Sequence, residues 1–226
     1  MTTIVKTEKK LEKKALLQVM KRFVLKKESK YRNIDHIHFD GESFIATDAH
    51  KLVRISREFV NLELSEPGII STAGNVVYGE TYPDTSRLIP SPIDSRTWTR
   101  LSLEDVKQLL ARMDEALTIV KKDDHKKVTF ELMPQAKDIR FKAVYSESTW
   151  GEMEYKSWMR VPVSGSENEK ITLNADYMKK TFMSVKELMT KLDIKAVDFY
   201  TYGDVRPIHI MRNGVFDIIV LPIRMA

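Results

Sequence analysis

The feature that most limits the fold of this chain is a succession of short strand-like runs closed by tight turns. They read IDHIHF (34–39), SFIAT (43–47), KLVRIS (51–56), KVTFEL (127–132), DIRFKAVYS (138–146), WMRVPV (158–163), AVDFYTY (196–202), RPIHIM (206–211) and FDIIVLP (216–222). Several alternate apolar and polar residues, as half-buried antiparallel strands do. FDGESF and RNGVF read as hairpin turns, the second through its Asn-Gly pair. Helix-then-strands, repeated, predicts an α+β fold rather than the regular alternation of a doubly wound one.

Three segments carry the helical period. The first spans 8–28, with an apolar stripe of Leu11, Ala15, Val19 and Phe23 and a basic stripe of Lys10, Lys14 and Lys21 around Gln18. The second spans 103–120, with Ser102 as N-cap and Asp105 three residues on. The third spans 175–192 behind the cap Asn174. It sets Tyr177, Met178, Phe182, Val185, Leu188, Met189 and Leu192 against a lysine face of Lys179, Lys180, Lys186 and Lys191. IPSPIDSRTWTR (89–100) is the linker candidate, and SGSENEK (164–170) reads as a polar loop.

Charge is unevenly placed. Residues 1–30 hold ten Lys and Arg against three Glu, a balance of +7, so the other 196 residues sum to −2. A basic segment on a near-neutral body points to an anionic partner, nucleic acid first, or to a solvated lysine-rich helix. No run is long enough for a membrane span, the first residues lack the apolar stretch of a secretory signal, and there is no cysteine, which fits the cytoplasm.

FIATDAHKLVRIS (44–56) sets Asp48, His50 and Lys51 close together. An Asp/His pair two apart shares a strand face and suits acid–base work, but no nucleophile motif accompanies it. His36 and His38 share the spacing of a zinc chelate, with Asp40 and His50 nearby, which leaves a small metal-dependent hydrolase as one reading. His125 and His209 sit in other contexts, H-E-x-x-H is absent, and eight glycines form no phosphate loop. No cofactor and no enzymatic activity is therefore expected.

Four segments, in order, resemble one family. IATDAHKLV is similar to the ATDGHRLA signature of the middle domain of bacterial DNA sliding clamps, the β subunit of the replicative polymerase. YPDTSRLIP (82–90) resembles FPDYRRVIP, where that family's second domain hands over to its third. LNADYMKKTF (173–182) resembles the FNxxYLLDxL start of its last helix, and VLPIRMA resembles its terminal MPMRL. Ala49 stands for the glycine, Lys51 for the arginine, and Thr85-Ser86 for a Tyr-Arg pair.

The resemblance implies a DNA-clamp-like fold of about one and a half to two clamp domains, antiparallel sheets with helices on one face. Residues 1–90 correspond to a shortened domain like the first half of the middle one, and 91–226 to a complete last domain. The size suggests a phage or mobile-element form. The resemblance also implies a peptide groove for DNA polymerase and clamp loader peptides, formed by Ile34, Thr47, Ala49, His50, Lys51, Leu52, Pro83, Arg87, Leu88, Ile219, Leu221, Pro222, Ile223 and Arg224. A small apolar concavity with a polar rim suits a peptide anchored by one or two side chains. Clamp helices face duplex DNA, which gives Lys10, Lys14, Lys21, Lys179, Lys180 and Lys186 a sequence-independent phosphate contact. Either a sliding clamp or a clamp-derived adaptor or regulator that does not encircle DNA is consistent with this. Clamp rings hold twelve half-domain units; three helices per chain would close a ring of four chains, and a full-sized first domain a ring of three. Weak self-association is expected, with the stretch EFVNLELSEPGII (58–70) as a charge-guarded subunit edge.

Overall fold

The computed structural model describes residues 9–26, 33–78, 81–123, 126–147 and 151–223. In chain order the elements are β1 (Leu11–Glu12), α1 (Lys13–Met20), β2 (Ile37–Phe39), β3 (Ser43–Thr47), β4 (Lys51–Ser56), β5 (Val60–Asn61), β6 (Gly68–Ile70) and β7 (Val76–Val77). They continue with β8 (Thr97–Ser102), α2 (Leu103–Ile119), β9 (Lys127–Met133), β10 (Asp138–Glu147), β11 (Gly151–Arg160), β12 (Val163–Gly165) and β13 (Glu169–Asn174). The last are α3 (Ala175–Lys191), β14 (Ala196–Thr201), β15 (Ile208–Arg212) and β16 (Phe216–Val220). Short 3-10 turns occupy Arg57–Phe59, Ser86–Leu88 and Pro92–Asp94.

A ten-stranded sheet runs β12-β8-β14-β15-β16-β4-β3-β2-β6-β7, and a four-stranded sheet runs β11-β10-β9-β13. Every pairing is antiparallel except the small β1–β5 ladder, where Leu11 faces Val60. The long sheet joins early and late parts of the chain. β16 lies beside β4 with Phe216 opposite Ile55 and Val220 opposite Lys51.

The helices form because both caps and faces agree with the sequence. Ser102 and Asp105 make a reciprocal capping box at α2, and the Asn174 side chain accepts from the backbone of Asp176 and Tyr177 at α3. Their apolar faces, Val106, Leu109, Met113, Phe182, Val185 and Leu188 among them, enter one continuous core with Phe130, Phe141, Val53 and Ile218. α2 and α3 pack side by side. β3 shows why alternation weakens here. Phe44 and Ala46 face that main core, while Ile45 belongs to a second small cluster on the opposite face, so four of its five residues are buried.

Four expectations need correction. The first helix is eight residues long, not 8–28. Leu11 is drawn into the core by its pairing with Val60, and beyond Met20 the chain tightens into i→i−3 bonds (Arg22 N to Val19 O, 3.1 Å; Phe23 N to Met20 O, 2.8 Å). The buried stripe is Leu16, Val19 and Met20 with Phe23, and Ala15 is only half-buried. Second, the linker candidate contains a regular strand, β8, whose residues alternate buried and exposed. Third, WMRVPV is divided. The chain leaves the four-stranded sheet after Arg160 and enters the long sheet at Val163, so Pro162 sits at the crossing, where no ladder bond is required of its nitrogen. Residues 58–70 are divided between two sheets. β5 is paired with β1, and β6 has neighbours on both sides, leaving β7 at the end of the sheet. Fourth, the polar loop 164–170 is partly strand, since β12 runs to Gly165 and β13 begins at Glu169.

Candidate functional site

The turn between β3 and β4 is built by its own side chains. Asp48 Oδ1 accepts from the backbone N–H of His50 (3.1 Å) and of Lys51 (3.0 Å). The Thr47 hydroxyl donates to the Lys51 carbonyl at 2.8 Å. Such Asx-type bonding closes a turn without help from elsewhere. Asp48 Oδ2 pairs with the Lys51 ammonium, which is almost fully buried. That ammonium lies 5.4 Å from the Phe23 ring centre and 5.1 Å from that of Tyr177. Burial pushes the Lys51 pKa below its ordinary value, and the Asp48 carboxylate only partly offsets this. The Asp-His-Lys cluster is therefore a folded turn with one internal ion pair. Lys51 is not presented to solvent, in contrast to its expected place on a groove wall.

Ala49 takes φ +72°, the left-handed region that glycine enters without penalty. Ala49→Gly is expected to stabilise the protein by about 0.5–1 kcal/mol, the relief of side-chain strain less the extra backbone entropy of glycine. Thermal unfolding checks this; a lower midpoint would show that the alanine carries no strain.

His50 projects outward and stacks on Tyr177, ring centres 5.5 Å apart. The C-terminal segment runs past this corner. Leu221 N–H donates to the His50 carbonyl (2.9 Å), and Ile223 N–H donates to the Thr172 carbonyl of β13 (2.8 Å). On the sheet face away from the helices, Ile45, Leu52 and Ile219 form the small cluster, covered by Tyr82 and Ile89. Tyr82 also stacks on His38, ring centres 4.8 Å apart and nearly parallel. The chain thus meets this patch at Tyr82 and again at Ile89, and Thr85 between them is buried.

The structure brings three of the family-like segments to one corner of the sheet. Ala49, His50, Arg87, Leu88 and Leu221 are exposed there, Leu88 at 50% and Leu221 at 42%, with Pro83, Pro222 and Ile223 half-buried. Thr47, Leu52 and Ile219 lie beneath them, buried. Ile34 is buried elsewhere, its carbonyl accepting from Leu25 N–H at 2.9 Å. Arg224 lies outside the described residues. Sequence reasoning missed Tyr82 and Ile89 as the cover of the small cluster and Tyr177 as the partner of His50. Tyr82 opens the segment YPDTSRLIP, which was the available signal.

No protein-family model matches the chain, and no curated protein matches it by sequence. Solved structures do. The DNA polymerase sliding clamp of Bacillus subtilis superposes with a TM-score of 0.72 at 17% identity, over 94% of this chain and 62% of that one. This chain has the sliding-clamp fold. The β subunit of Streptococcus pyogenes DNA polymerase is matched over the whole of this chain and 68% of its own, TM-score 0.68 at 16% identity. The DNA polymerase III β subunit of Thermotoga maritima gives 0.66 at 18%, over 94% and 64%. The chain therefore spans about three fifths of the length of most of the clamps it matches.

On this clamp fold the outward faces of the three helices form one surface. Gln18 of α1, Leu110 of α2 and Lys186 of α3 border a shared shallow cleft of about 440 Å³. Arg22 ties the end of α1 to α3, 2.8 Å from Glu187 and 3.3 Å from Ser184 Oγ. Lys14, Lys21 and Lys186 are exposed on this layer. Lys10 is exposed but precedes β1, off the helix. Lys179 and Lys180 each have an acidic partner at 2.5 Å, Asp114 and Asp176 respectively, which lowers the charge they offer a ligand.

The three histidines of the hydrolase reading have separate surroundings: His36 beside Asp35 (3.2 Å), His38 under Tyr82, His50 on Tyr177. Among the described residues no group of three or more His, Asp or Glu is placed to hold a metal ion, and no helix is long and apolar enough to cross a membrane. His125 lies outside the described residues.

Proposed function

We propose that this chain is a compact sliding clamp, a non-catalytic processivity factor of the cytoplasm. It associates with duplex DNA without sequence preference and holds a polymerase or clamp loader by a short peptide. On this reading residues 1–90 are a shortened clamp domain and 91–226 a complete domain of the last type. The observation that supports it above others is the shared fold, with the ATDAHKL turn, the 82–90 segment and the C-terminal strand gathered at one corner and exposed lysines on the helical layer. A non-encircling adaptor is the second reading, favoured by the acidic partners that Lys179 and Lys180 hold on the helical layer.

The test is duplex binding across a salt series. The variant Lys14→Glu/Lys21→Glu/Lys186→Glu is expected to bind every duplex more weakly and to flatten the log–log salt dependence by roughly three, near one unit for each phosphate that a lysine no longer neutralises. Weakening on one preferred sequence alone would point to a sequence-specific regulator. Unchanged binding would remove the helical layer from the DNA face.

A further inference from the structure

Ile223, the half-buried residue at the end of the peptide corner, also lines a cleft of about 650 Å³. The other walls come from Arg96 ahead of β8, from Glu169, Lys170 and Thr172 of β13, and from Asp204 and Val205 in the turn after β14. Glu169 is the member that its own strand does not explain. It is the first residue of β13, and it is only 7% exposed. The hydroxyls of Thr97 and Thr201 both donate to its Oε2. Those two threonines also lie 2.5 Å from each other, oxygen to oxygen, so they would be satisfied without it. The other oxygen, Oε1, is buried with no hydrogen-bond partner among the described residues. A carboxylate oxygen buried without a donor opposes folding, and a donor that reaches it removes that cost.

We propose that this cleft receives a basic side chain, lysine or arginine, of a peptide held at the corner, with Glu169 and Asp204 as its acceptors. The inference rests on the peptide reading above and narrows the class of peptide. Position supports it first. Ile223 belongs to both places, and its backbone N–H is fixed to the Thr172 carbonyl at 2.8 Å, so a chain passing Ile223 arrives at the mouth of the cleft. Chemistry supports it next. Val205 is 66% exposed beside Asp204, which offers an apolar surface to the aliphatic stem while the charged head turns to the carboxylates.

Two cations share the cleft. Lys170 lies 3.6 Å from Glu131 on the neighbouring strand. Arg96 rests over Gly203, its guanidinium carbon 3.5 Å from where a Cβ would stand. With Glu131 counted, carboxylates outnumber cations three to two, and the one buried without a donor for its second oxygen is Glu169. An acidic side chain would bring a like charge against Glu169 and Asp204.

Titration calorimetry on the full chain tests this with a core peptide, a glutamine and a distal Leu-Phe pair. It is compared with versions carrying one added arginine, or one added glutamate, on either flank. Arginine on one flank is expected to tighten binding about tenfold, and glutamate on that flank to give no gain. The gain is taken as a ratio within each variant, so a general loss of affinity does not imitate its loss. Glu169→Gln retains an oxygen for Thr97 and Thr201 and should remove most of the gain. Asp204→Asn, at an exposed position, should reduce it. N-acetylarginine amide alone, at millimolar concentration, should shift the Val205 methyl resonances of the wild type and not those of Glu169→Gln. If the core peptide does not bind, the peptide reading fails, and this last measurement decides the cleft by itself: a shift supports it, and unmoved methyls overturn it. Where the core peptide binds, the proposal is overturned by an arginine that gains nothing on either flank. It is equally overturned by a glutamate that gains as much, or by a gain that persists in full in both variants.

Discussion

Leu221→Asp is expected to weaken binding of a clamp-type peptide, one with a glutamine and a distal Leu-Phe pair, by about thirtyfold or more while leaving the protein folded. The magnitude is that of a central apolar anchor, roughly 2 kcal/mol. The side chain is 42% exposed, so it contributes little to the core, and its backbone bond to the His50 carbonyl does not depend on its identity. Position matters here. Ile219 and Leu52 belong to the same corner but lie under Tyr82 and Ile89, and a carboxylate at either would disrupt the small cluster rather than test a groove. Titration calorimetry with the wild type, expected at micromolar strength, gives the reference, and circular dichroism confirms the fold. A wild type that takes up no such peptide at high concentration would remove the groove from the proposed function.

The second large effect is on stability. Asp48→Ala should cost about 3–5 kcal/mol, because it strands the buried Lys51 ammonium without a counter-charge. It also removes the acceptor of two turn N–H groups. Lys51→Met should cost much less, since a flexible apolar chain fits beside Phe23 and Tyr177 and Asp48 still closes the turn. Urea unfolding of the two variants distinguishes them, and equal costs would show that the pair is not coupled. The pH dependence has a definite sign. Below its lowered folded pKa, Lys51 is charged in both states and burial of that charge opposes folding. Between that value and the ordinary lysine range the unfolded chain binds more protons, so stability rises with pH there. Lys51→Met should abolish that rise.

Legibility followed locality. β3 and β4 begin and end where SFIAT and KLVRIS do, because their register is fixed by a turn that bonds within Thr47–Lys51 close. α2 and α3 were readable for the same reason, since Ser102 and Asn174 cap them from the adjacent residue. What the sequence hid depends on distant partners. β13 was obscured by Glu169, a carboxylate buried because Thr97 and Thr201 donate to it from two other strands. The start of the first helical segment was lost to Val60. Lys51 looked like a surface cation because the rings that enclose it, Phe23 and Tyr177, come from opposite parts of the chain. The outer small cluster was invisible for a related reason, as it gives β3 a second buried face that erases alternation.

The pairing of β16 with β4 also sets an order of events at the ribosome. At about 5–20 residues per second, roughly ten to thirty seconds separate emergence of Lys51 from that of Val220. Throughout that interval one edge of β4 has no neighbour, and Phe44, Ile45, Val53 and Ile55 lack the strand that completes their layer. The nascent chain is therefore expected to need holding chaperones until Phe216–Val220 has emerged, and any stop ahead of Phe216 releases a product that cannot close its sheet.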